Sequence, residues 1–196
     1  MTFSYFYKKE QTMNFNDYQQ QFEAILSGAK TNDVYEDPHF VNYTKLNQSR
    51  MNRWLKKGEL LANTKRTLAE INSPQKWVLI SEPWCGDAAH CVPFIVMMAE
   101  QNNFISLEIQ LRDSNSEIDS YLTNGGKAIP KLIIRNEANK DLAVWGPRPE
   151  QCQKVFTAEK EKGAEMDALK VVLQEWYNGN HGVAIQEEIC AILSTI

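Results

Sequence analysis

Four cysteines, Cys85, Cys91, Cys152 and Cys190, and three histidines, His39, His90 and His181, are the side chains best able to act as nucleophiles, proton carriers or soft metal ligands. Cys85 stands out by its place. It follows a continuous apolar run, Trp77-Val78-Leu79-Ile80, and a breaker, Glu82-Pro83, and it precedes a helical pattern from Gly86 to about Gln101. A cysteine at such a strand-to-helix corner is expected to be exposed, and the unpaired N–H groups and positive dipole end of the helix favour its thiolate. Asp87 works the other way, since a carboxylate two residues on disfavours a neighbouring anion. Asp87 also has a plain structural reading, the better supported one, as an acid that stabilises the first helical turn. These opposing effects leave the pKa of Cys85 open.

The other candidates point away from chemistry. Cys91 lies six residues further along the same helix, an offset that turns the two thiols apart and separates them by roughly 9 Å of rise. No Cys85–Cys91 disulfide is expected, and Cys91 should pack in the core as a small hydrophobe. Cys152 and Cys190 have no partner pattern. Cys85, His90 and Cys91 match no Cys/His zinc spacing and supply only three ligands, so neither metal nor cofactor is expected. Arg148, in Trp145-Gly146-Pro147-Arg148-Pro149, has the fork that suits an anion beside the thiol. The better reading is that this rigid corner ends a strand and sets up the next helix.

The elements that must carry these residues are legible from pattern. Helices are expected over residues 14–28, 38–57 and 59–71, punctuated by Gly28, Pro38, Gly58 and the breaker Asn72-Ser73-Pro74. The apolar run at 77–80 suits a central strand covered on both faces. After the helix that begins at Gly86 come a strand over 104–111, a short helix over 116–122 and a turn at Asn124-Gly125-Gly126. Strands at 132–134 and 142–145 follow, then a helix from the Gly-Pro-Arg-Pro corner to about Glu161. Two further helices, 165–177 and around 185–193, complete the chain.

The 196 residues carry 21 Lys+Arg against 25 Asp+Glu, a net charge of -4, and are 43% hydrophobic. Nothing there suggests nucleic acid or a membrane surface as partner. No apolar run is long enough to span a bilayer. The first fifteen residues lack the pattern of a signal peptide, with Met13 an alternative start or the first dozen residues a loose arm. Few, irregularly spaced cysteines fit a reducing cytoplasm.

The element order from residue 76, with Trp84-Cys85-Gly86 at the end of the first strand, resembles the thioredoxin superfamily. Pro93 falls where thioredoxins kink the active-site helix, and Ala128-Ile129-Pro130 looks like the segment that holds the family's cis-proline. The strings Glu82-Pro83-Trp84-Cys85-Gly86-Asp87-Ala88 and Val144 to Pro149 resemble a branch of thioredoxin family proteins with a helical N-terminal extension. The resemblance implies an α/β thioredoxin-like fold, a central mixed sheet flanked by helices. Residues 1–74 would form the helical extension packed on the domain, and 75–196 the domain with its C-terminal helices.

Two departures bear on activity. The resolving cysteine of the family's Cys-Gly-Pro-Cys is Ala88, and the buried acid six residues before the first cysteine is Leu79. A dithiol cycle within the motif is excluded. A monothiol cycle remains, with Cys85 as nucleophile attacking a protein or small-molecule disulfide and an external low-molecular-weight thiol releasing the product. Trp84, Gly86, Asp87, Ile129 and Pro130 would then form the substrate groove. The alternative is a redox-silent module whose groove near Pro130 grips an extended peptide, because fold does not imply function.

Overall fold

The computed structural model describes residues 12–29 and 33–196; the stretch read as a loose arm lies, but for Thr12, outside the described residues. β2 (Gln75–Ser81) is the centre of the sheet, and Trp77, Val78, Leu79 and Ile80 are all fully buried. That is why its apolar residues run on without alternating. β3 (Ile105–Leu111) pairs with it in parallel, which requires a crossover, and α4 (Gly86–Ala99) supplies one. On the other side β4 (Lys131–Asn136) is antiparallel to β2, and β5 (Asp141–Trp145) antiparallel to β4. A two-residue strand, β1 (Thr12–Met13), closes the far edge against β3, giving the order β1-β3-β2-β4-β5. The fold is α/β, a mixed five-stranded sheet flanked by helices. β1 was not expected, since two residues carry no periodic signal.

α1 (Phe15–Leu26) is capped by the Asn14 side chain, and α2 (Pro38–Lys57) by Asp37 with Pro38 at its first position. α2 packs along α4 and ties itself to the cysteine loop where Asn47 Nδ2 donates to the Pro83 carbonyl at 3.1 Å. α3 (Ala62–Ala69) is shorter than the pattern over 59–71 predicted. The residues before it are held extended by α7 (Val183–Leu193): Leu61 N–H donates to Gln186 Oε1 at 2.8 Å, and Gln186 Nε2 to the Glu59 carbonyl. The helix expected over 116–122 is one 3₁₀ turn, Glu117–Ser120. α5 (Glu150–Glu161) packs on α6 (Met166–Asn180).

Among the described residues two peptide bonds are cis, Ile129–Pro130 and Gly146–Pro147. They meet at one place. Gly146 has φ +110°, and a Cβ there would overlap the Pro130 carbonyl oxygen, so only glycine lets the two loops touch. Lys131 Nζ clamps the same corner, donating to the Gly146 carbonyl at 2.9 Å and to Thr123 Oγ1 at 2.6 Å.

Candidate functional site

Cys85 is the N-cap of α4. The Ala88 N–H donates to its Sγ at 3.5 Å, and its S–H donates to the Ile129 carbonyl at 3.4 Å. The thiol therefore bridges the helix start and the loop at Pro130. It is only 7% exposed, which corrects the expectation of an exposed thiol at this corner. Burial pushes the Cys85 thiol up to about 12, and the Asp87 charge adds to the rise; the N–H groups of Ala88 and Asp87 and the Arg148 cation pull back but lose. The helix terminus acts in the direction the sequence predicts, and desolvation outweighs it.

Asp87 is more than a first-turn acid. Arg148 donates to its Oδ2 from Nη2 at 2.6 Å and from Nε at 3.2 Å, and the Tyr177 hydroxyl donates to its Oδ1 at 2.7 Å. The Cys91 thiol reaches that hydroxyl at 3.8 Å. Arg148 does meet an anion beside the thiol, namely Asp87, which corrects its reading as a residue of the strand-ending corner alone. Cys91 and Cys152 are fully buried, and all four cysteines are free thiols.

Both nitrogens of His90 are engaged. The Trp54 indole N–H donates to Nδ1 at 2.9 Å, so in the neutral ring the proton sits on Nε2, 3.2 Å from Gln174 Oε1. Burial, with help from Arg50 and Arg53, lowers the His90 pKa to about 3. Among the described residues no group of three or more His, Cys, Asp or Glu side chains is arranged to hold a metal ion. No described helix is long and apolar enough to cross a membrane.

Above the thiol lies a cavity of about 440 Å³. Trp84, Cys85, Gly86, Asp87 and Ile129 line it together. Pro130 is buried behind the wall, its carbonyl against Gly146. The roof comes from two helices that sequence reasoning did not connect to the site: Phe40, Tyr43 and Arg50 of α2, and Leu173, Gln174 and Tyr177 of α6. The α2 set was findable, because residues 40, 43, 47, 50 and 54 fall on one helical face and read as two aromatic residues, Asn, Arg and Trp. Phe40 meets Trp84 edge to face at 5.7 Å, and the Arg112 guanidinium lies over the Trp84 ring at 4.6 Å from its centre.

Residues 34–162 match the thioredoxin family. The chain belongs to that family. The matched stretch takes in α2 as well as the sheet, so the family's domain here includes one of the two roof helices. Two solved structures share the fold of this thioredoxin-family chain. One is a protein of unknown function from Pseudomonas aeruginosa, 15% identical with a TM-score of 0.52, covering 89% of this chain and 91% of its own. The other is an HIV epitope-scaffold, 14% identical with a TM-score of 0.55, covering 94% of this chain and 99% of its own. No curated protein matches the chain.

Proposed function

We propose that Cys85 carries out monothiol thiol–disulfide exchange on a small disulfide held in the cavity beneath α2 and α6. The observation that carries this reading is the placement of Cys85 in the wall of a 440 Å³ cavity, at the first turn of α4 and against the Ile129 carbonyl. A space of that size under two helices fits a small molecule and not the disulfide of a folded protein. In the first step Cys85 Sγ bonds to one sulfur of R–S–S–R as the S–S bond breaks, and the thiol proton goes to the departing sulfur, which leaves as R–SH. In the second step an external thiol, R′–SH, attacks the mixed disulfide. R–S–S–R′ departs and the proton returns to Cys85. Trp84, Gly86, Asp87 and Ile129 line the path of the disulfide, and a reducing cytoplasm supplies the second thiol.

One observation favours the alternative of a redox-silent binding module: the thiol pKa of about 12 leaves Cys85 protonated at neutral pH. Mass spectrometry after incubation with bis(2-hydroxyethyl) disulfide separates the two. Exchange predicts a single adduct on Cys85, absent in Cys85→Ser and removed by glutathione. Unmodified wild-type protein after prolonged incubation at pH 9 defeats the exchange reading.

A further inference from the structure

Five cationic side chains line the cavity, Arg50, Arg112, Lys127, Arg148 and Lys170, against one carboxylate, Asp87. Four of the five are matched. Arg112 pairs with Asp113, Lys127 with Asp119, Arg148 with Asp87 and Lys170 with Asp167. Arg50 pairs with no carboxylate among the described residues; its Nη1 donates to the neutral Asn47 Oδ1 at 3.0 Å. Partial burial chiefly, and the nearby Arg53 after it, lower its hold on its proton, while Tyr43 acts the other way. Asp87 does not answer it, being held by Arg148 and Tyr177.

The position of Arg50 matters as much as its charge. A Cβ on Gly86 would stand 3.8 Å from Arg50 Nη1, so the guanidinium lies over the first residue of α4, next in the chain to Cys85. Trp84, on the other side of Cys85, keeps a buried indole N–H with no acceptor among the described residues. Arg50, a cation with no carboxylate, and the Trp84 indole N–H, with no acceptor among the described residues, therefore flank the thiol within one lining, and a planar guanidinium suits a carboxylate in bidentate fashion.

We propose that the cavity selects a small thiol or disulfide bearing a carboxylate, with Arg50 as the specificity-determining residue that holds the carboxylate beside Cys85. This deepens the exchange reading and rests on it for the sulfur, while the anion site stands on its own geometry.

Binding is separated from chemistry by using Cys85→Ser protein and titration calorimetry with three disulfides of similar length. Dithiodiglycolate is anionic, bis(2-hydroxyethyl) disulfide neutral and cystamine cationic. The anionic probe should bind about tenfold tighter than the neutral one, as one charge-assisted pair supplies, and cystamine weakest. The preference should shrink as salt is raised. Arg50→Ala, added to the same protein, should abolish the preference, and Arg50→Lys should retain part of it. Equal affinity for anionic and neutral probes, a preference indifferent to salt, or one that survives Arg50→Ala overturns the proposal. The salt series needs no change at Arg50, so it decides the matter even if Arg50→Ala misfolds. Anion-selective binding with no adduct on wild-type Cys85 would sink the exchange reading and leave the anion site standing.

Discussion

β4 carries a polar cluster at each end, and the two clusters are built on opposite plans. At the Arg135 end every group is answered. The guanidinium grips both oxygens of Glu117, donates to Asp141 at 2.7 Å and to the Tyr121 hydroxyl at 2.8 Å, while Gln110 donates to Glu117 and accepts from its N–H. Burial works against the Glu117 carboxylate, yet Arg135 and Gln110 hold it below the usual range. Near the Lys131 end lie a cavity, a protonated buried thiol and, among the described residues, an arginine without a carboxylate and an indole N–H without an acceptor. Native proteins leave few buried polar groups unsatisfied. A closed network specifies one end of the sheet; the open set near the other end is the one on which the proposed carboxylate site rests.

The largest effect concerns the open end. With a thiol pKa of about 12, the ionised fraction of Cys85 rises tenfold per pH unit throughout the neutral and mildly alkaline range. The alkylation rate of a variant retaining only Cys85 should therefore climb about a thousandfold from pH 7 to pH 10 without levelling off. A plateau near pH 8 would show a far more acidic thiol and a more open site.

The fold was largely legible and the site only half so, for reasons that lie in particular residues. Trp77 to Ile80 announced a central strand because an unbroken apolar run needs cover on both faces, and Gly28, Pro38 and Gly58 marked the limits of the first two helices well, while the third proved shorter than its punctuation implied. Cys85 and its neighbours were found because they adjoin in sequence. The cavity around Cys85 was not, because other parts of its lining come from Phe40 and Tyr43 of one helix and Leu173 and Tyr177 of another, far away in the chain. Arg148 and Asp87 lie 61 residues apart, and nothing local distinguishes an arginine that closes a corner from one that also grips an acid across the site.

The closed end should fail first when cut. Arg135→Ala leaves Glu117 poorly solvated and without its cation, and should cost about 3 kcal/mol in chemical denaturation. The same variant should leave Cys85 alkylation unchanged, since among the described residues no hydrogen bond or ion pair joins Arg135 or its partners to Cys85, Trp84 or Arg50. A loss below about 1 kcal/mol would mean the saturated network contributes little and the contrast is only visual.

Acid offers a sharper probe of the open end. His90 is neutral in the fold with a pKa near 3, whereas an unfolded histidine titrates near 6.5. Between those values the unfolded chain binds a proton that the folded one refuses, so stability falls as pH drops through the window. The slope should reach up to about 1.4 kcal/mol per pH unit. His90→Gln keeps an acceptor for Trp54 and should flatten the slope between pH 6 and pH 4. An unchanged slope would assign the acid loss to other groups.

The smallest effect completes the contrast. Arg50→Ala should alter the unfolding free energy by no more than about 0.5 kcal/mol, the usual range for a substitution away from a satisfied network. A loss comparable to that of Arg135→Ala would make Arg50 a structural residue and erase the difference between the two ends.

The roof over Cys85 also has an order in time. α2 precedes the sheet in the chain and α6 follows it, so the cavity is assembled from residues 39 to 177. Synthesis runs from the N-terminus, so β2, α4 and the loop at Pro130 are all made before Leu173 and Tyr177 exist. For that interval the thiol that the finished protein hides is open on one side. Until α6 arrives, the nascent chain offers Cys85 to reagents that the mature cavity would turn away by size.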